Sequence, residues 1–221
     1  MATRLPLFPL AVVLFPGAIL PLHIFEPRYR RLLADCLQGD GRFGILPVSP
    51  GGTVPPAGTI GCVAEIAQVQ PLPDGRSNII TRGGERVRLV AVVDAGTPYY
   101  MGEVEPVLDD AGSAPGADQL AALRALHARY AELLQRVTDR EAEVAALPDD
   151  PVEASFVAAG LVECELPRKQ RMLATRSTAE RVGLLLQVYP PLIAALEDAV
   201  TVHERARTNG KGHHHPDIDG P

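Results

Sequence analysis

Four prolines within one uncharged run constrain this chain more than any other feature. From Leu5 to Leu22 no side chain is charged, and Pro6, Pro9, Pro16 and Pro21 punctuate the stretch. Hydropathy alone would offer a transmembrane or signal segment. Each proline fixes φ, removes a backbone donor and costs about 3 kcal/mol inside a helix. The run is therefore expected to be extended and turned, with its apolar residues buried in protein. Pro16-Gly17 marks a turn, and Leu20, Leu22 and Ile24 alternate with Pro21, His23 and Phe25 as in a strand. Pro27 suits a first helical position, and Tyr29, Leu32, Leu33 and Cys36 recur at helical spacing until Gly39.

Downstream, Arg42–Val48 and Thr59–Val69 read as strands, and Pro73-Asp74-Gly75 as a hairpin turn. Asn78–Arg82 and Arg86–Asp94 read as two further strands separated by a Gly83-Gly84 turn, and Tyr99–Leu108 closes the set. The texture changes after Asp109–Gly116. A long amphipathic helix is expected from about Ala117 to Arg140, and Asp149-Asp150-Pro151 starts another. Pro167 opens a short helix, Ser177 and Glu180 form a capping box, and Pro190-Pro191 is read as the start of the last helix. The fold class is α+β: a PUA-like bent β-sheet or pseudo-barrel lobe with one helix, then a helical bundle. The expected boundaries are a β-rich lobe at 1–110, a linker at 111–116, a helical lobe at 117–208 and a disordered tail at 209–221.

The same residues carry a family resemblance. LPLFPL, LFPG and LPLHIFEPRYRRLL at the start, then GTIGCVAEI, DGRSNIITRGGERVRL and PYYMGEVE, and finally LPRKQRMLATRSTAERVGLLL, resemble the Lon protease N-terminal (substrate-binding) domain family over residues 3–205. Cereblon carries a related domain. The resemblance implies the PUA-like sheet followed by a helical bundle, and a role in recognising polypeptide segments. A stand-alone bacterial member is expected, because the 221 residues hold no ATPase or protease motif. Only Lys169 and Lys211 could serve a Walker A loop or a Ser-Lys dyad, and neither has the required neighbours.

A net charge of −6 argues against nucleic-acid or anionic-membrane partners. Cys36, Cys62 and Cys164 lie far apart without a C-x-x-C pair, which suits reduced thiols in the cytoplasm. Neither a cofactor nor a structural metal is expected; His213, His214 and His215 could bind a metal adventitiously. His23 reads as a structural histidine, with catalysis as the alternative. Glu26, Arg28 and Arg30 read as a cap with ion pairs, with a polar site as the alternative, and Arg82, Arg86 and Arg88 as a solvated face paired with Glu103 and Glu105, with an acidic-substrate contact as the alternative.

Tyr99, Tyr100 and Met101 are candidates for a partner-facing patch, since tyrosine and methionine suit surfaces that bind varied apolar sequence; core packing is the other reading. Phe8, Phe15, Leu46 and Pro47 are weaker candidates for the same role. The expected function is a non-catalytic module capturing exposed hydrophobic segments of unfolded or partly folded polypeptides, in a protease or chaperone system. The alternatives are a scaffold or adaptor subunit for one native partner, and a peptidase. Oligomeric state is not legible in the sequence.

Overall fold

The computed structural model describes residues 2–48, 52–138 and 146–209, the last six of these by backbone alone. β1 (Thr3–Leu10) and β2 (Ile19–Ile24) flank the proline loop and α1 (Pro27–Gln38) follows. Four strands come next: β3 (Arg42–Pro47), β4 (Ile60–Pro71), β5 (Ser77–Val93) and β6 (Tyr100–Pro106). Ladders join β1 to β3 and β6, β3 to β4, β4 to β5 and β5 to β6, so five strands close into a ring. β2 lies outside the ring, paired along the leading half of β5. Pro6 and Pro9 fit β1 because β6 flanks its first half and β3 its second, which leaves each proline with a strand on one side only.

All five ring strands send side chains inward: Leu5 and Leu7, Leu46, Val63, Val87 and Leu89, and Val104 form one buried cluster. The other face of the sheet packs under α1, whose Tyr29, Leu32, Leu33 and Cys36 meet Phe8, Phe43, Ile45 and Ile79. Phe8 and Tyr29 stack with ring centres 3.9 Å apart.

Gly83 and Gly84 do not form the expected turn. β5 runs unbroken for 17 residues through both of them. A Cβ on Gly83 would lie 2.0 Å from the Phe15 carbonyl oxygen, so glycine is required there for backbone approach rather than for reversal.

The second lobe holds α2 (Ala117–Thr138), α3 (Pro151–Leu161), α4 (Leu166–Ala174) and α5 (Thr178–Asn209). Asp150 caps α3 by accepting from Glu153 N at 2.9 Å, and Ser177 Oγ accepts from Glu180 N at 3.2 Å at the start of α5. Pro190-Pro191 lies inside α5 and does not start a new helix. Val182, Leu185, Val188 and Tyr189 before the pair, and Leu192, Ile193 and Leu196 after it, pack into the same core. That burial, about 1.5–3 kcal/mol for a fully buried side chain, outweighs the local cost of two prolines. By length and composition α5 could span a bilayer; here its leading half is core helix. The 109–116 segment is fastened to this lobe: Asp110 N donates to Arg176 O at 3.0 Å and Ala179 N to Ser113 O at 2.8 Å.

Candidate functional site

The two lobes are held together by a plug and a charged clasp, and the grooves that remain open lie beside them. The plug is Phe15. Phe15-Pro16-Gly17-Ala18 is a tight turn with Gly17 at φ +79° and an Ala18 N to Phe15 O hydrogen bond of 3.1 Å. Gly17 N donates to Gly83 O, and Gly83 N to Ala18 O, both at 2.8 Å. The turn thus sewn to β5 holds the Phe15 ring inside the helical core.

The clasp is Arg86, Asp109 and Arg181. Arg181 has no exposed surface; it donates to Asp109 Oδ2 at 2.8 Å, Thr175 O at 2.7 Å and Ser155 Oγ at 2.7 Å. Arg86 of β5 donates to Asp109, to Leu173 O at 2.7 Å and to Thr175 O at 2.8 Å. Both guanidinium groups lie over the Phe156 ring. Burial lowers the Arg86 pKa from its ordinary value, and Asp109 opposes that shift. Arg86 is therefore not on a solvated face, because the end of α4 covers it. Arg88 is, and it pairs with Glu105 at 2.7 Å; Glu103 pairs with Arg4 at 3.8 Å.

α4 lies across the start of β4, where Gln170 Nε2 donates to Ile60 O at 2.7 Å. An open groove of about 370 Å³ runs along one side, between Pro47 and Ile60 of the β lobe and Leu166, Pro167 and Ala174 of α4. A second, of about 390 Å³, lies on the other side of Leu166, between the 11–20 segment and Gly160, Glu163, Cys164 and Lys169. The first groove is lined mostly by apolar surface, with Thr59 and Gln170 as its polar groups. Such a site can take up apolar side chains.

Among the described residues the lining of this groove holds no cysteine, histidine, acidic or basic side chain. Burial pushes the Cys36 and Cys62 thiols up to about 12, and raises Cys164 as well. A protonated thiol is a poor nucleophile. Among the described residues no group of three or more His, Cys, Asp or Glu could hold a metal ion, and His213, His214 and His215 lie outside those residues.

The residues singled out in the sequence fall in different places. Phe8, Phe15, Leu46 and Tyr99 are all buried, at most 8% exposed, so they shape the lobes from within. Tyr99 OH donates to Asp35 Oδ2 at 2.8 Å, and burial together with that carboxylate pushes its phenol up to about 12. Tyr100 and Met101 are half-buried on opposite faces of β6, the first toward the ring interior and the second under α1. Pro47 lines the first groove, with Leu46 packed behind it. His23 is exposed and its Nδ1 lies 2.7 Å from Asn78 Oδ1; Glu26 pairs with Arg28 at 2.9 Å and forms no side-chain cap. The α4 side of the groove escaped sequence reasoning, although Leu166-Pro167 at the head of an amphipathic turn was its signal.

The model of the ATP-dependent protease La (LON) substrate-binding domain matches residues 4–188. The chain belongs to that family. A Lon protease of Xanthomonas oryzae pv. oryzae is 27% identical over 82% of this chain and 22% of its own length. A Lon protease of Azorhizobium caulinodans is 25% identical over 96% of this chain and 25% of its own length. The chain thus spans about a quarter of the Lon proteases it matches. The crystal structure of a Lon N-terminal domain protein from Xanthomonas campestris superposes with a TM-score of 0.66 at 26% identity, covering 85% of this chain and 99% of that one. The N-terminal domain of a Mycobacterium avium complex Lon protease shares the fold, with a TM-score of 0.58 at 19% identity. The ring-and-bundle architecture is that of Lon N-terminal domains.

Proposed function

We propose that this chain is a non-catalytic polypeptide-binding module of a Lon-type proteolytic system. It captures exposed apolar segments of unfolded or partly folded proteins in the groove between β4 and α4. The observation that carries this reading is the groove itself: Pro47, Ile60, Leu166 and Pro167 present an open apolar cleft between lobes whose relative position is fixed by Phe15 and the arginine clasp. Membership of a family described by substrate binding supports it. Each inserted leucine or phenylalanine contributes about 1.5–3 kcal/mol, so two or three anchors less their ordering costs give micromolar, sequence-tolerant affinity. Recognition without chemistry agrees with thiols held protonated by burial. Three free cysteines suit the reducing cytoplasm.

The test is binding of the purified protein to a tiled array of unrelated peptides, with casein degradation followed in the same samples. Capture of apolar peptides without cleavage is expected, with capture lost in Leu166→Asp. Capture of no peptide would leave a dedicated native partner, and cleavage without added protease would make the chain an enzyme.

A further inference from the structure

Beyond the groove of the reading above, on which this rests only for its class of ligand, we propose that the free edge of β2, whose Ile19 and Leu20 line the second groove, takes an extended polypeptide segment as an added β-strand. The segment is extended, carries apolar side chains at alternate positions and has an acidic residue at its end near Ile19. β2 is hydrogen-bonded on one side only, to β5. Gly83 N donates to Ala18 O at 2.8 Å and Thr81 Oγ1 to Leu20 O at 2.9 Å, so Ala18, Leu20, Leu22 and Ile24 turn their backbone groups toward β5. By antiparallel alternation Ile19, Pro21 and His23 turn theirs outward, which leaves carbonyls at all three and N–H groups at Ile19 and His23. Donors and acceptors at strand spacing are satisfied by one kind of ligand, another extended backbone.

The side chains on this face agree. Ile19 is 60% exposed and Phe25 58%, at the two ends of the same edge, with His23 stacked on Phe25 at 5.9 Å between ring centres. Residues 19, 21, 23 and 25 share one face of the extended chain. Charge sets the polarity of the segment. Arg82 lies directly across from Ile19 and forms no ion pair among the described residues, not even with its other neighbour Glu65. Lys169 lines the second groove together with Ile19, Leu20 and Glu163. These cations complement an acidic residue at that end. Pro21 withholds one donor, which protects the edge from indiscriminate pairing.

The probe is a synthetic peptide of about ten residues, alternating valine and threonine and ending in two glutamates, alongside the same peptide N-methylated at alternate amides. Binding is measured by fluorescence anisotropy, and amide exchange by NMR on the full chain. The unmethylated peptide is expected to slow exchange at the Ile19 and His23 amides about tenfold or more, while the methylated peptide binds about tenfold more weakly. Ile19→Pro, which removes an outward donor without touching the β5 ladder, is expected to weaken the unmethylated peptide to a similar extent. Equal affinity for both peptides, or unchanged exchange at both amides under saturation, overturns strand addition and leaves polypeptide capture standing. Failure of both peptides to bind at millimolar concentration overturns strand addition and, with apolar peptides also uncaptured, polypeptide capture.

Discussion

Arg181 Nη2 donates to Asp109 Oδ2 at 2.8 Å where the arginine has no exposed surface, and that carboxylate is shared with Arg86. One aspartate thus serves two buried guanidinium groups that arrive from opposite lobes. Asp109→Ala leaves both charges without their counter-ion, and is expected to lower unfolding free energy by about 3–5 kcal/mol. Urea denaturation checks it. A loss below about 1 kcal/mol would mean that the remaining carbonyl acceptors at Leu173 and Thr175 suffice.

Adjacent glycines in β5 should behave differently. A Cβ at Gly83 meets the Phe15 carbonyl oxygen at 2.0 Å, whereas one at Gly84 comes nearest to the end of the Glu65 side chain at 3.0 Å, with the Val63 carbonyl oxygen at an ordinary 3.6 Å. Gly83→Ala is expected to cost about 1–3 kcal/mol or more and to loosen the Phe15 turn. Gly84→Ala should cost well under half of that in the same denaturation series.

Phe15→Ala removes the plug from the helical core while leaving its turn intact. The expected loss is about 3–5 kcal/mol. Amide exchange should accelerate around Tyr130 and Tyr189, which pack in the same cluster, more than inside the ring of strands.

The buried thiols make stability fall at alkaline pH. Cys62 is raised from its ordinary value to about 12 by burial, so the unfolded chain releases this proton first. Its contribution is fully present below about pH 9 and is lost as pH rises toward 12, at about 1.4 kcal/mol per pH unit. Cys36 shifts in the same direction. At pH 8 a thiol reagent should modify Cys164, which is part-exposed, and reach Cys36 and Cys62 only on unfolding.

What the sequence disclosed follows from the range of each signal. Pro27 with Gly39, Asp150 with Pro151, and Ser177 with Glu180 act within one helical turn, and the helices start or stop where these residues place them. Gly83-Gly84 carries the same local mark as a turn, yet its role is set by Phe15, 68 positions earlier in the chain. Arg86 and Arg88 alternate as a solvated pair should, but the end of α4 covers one and misses the other. Pro190-Pro191 breaks a helix on local cost alone and is overruled by apolar residues on both sides. Tyr99 suits a binding surface or a core equally well by residue type, while Phe8, Phe15 and Leu46 lean to the core, and docking of α1 and the helical lobe buries all four. The groove beside α4 is formed by elements more than a hundred residues apart, so only Pro47 of its lining stood out in the sequence.

The most direct measurement compares wild type and Leu166→Asp for affinity toward one apolar peptide, by anisotropy, with thermal unfolding of both proteins followed in the same buffer. Leu166 is half-buried at the groove wall, so the substitution is expected to leave the melting temperature within a few degrees. Micromolar binding by the wild type and at least about tenfold weaker binding by the variant are expected. Equal affinity of two equally stable proteins would contradict recognition in this groove.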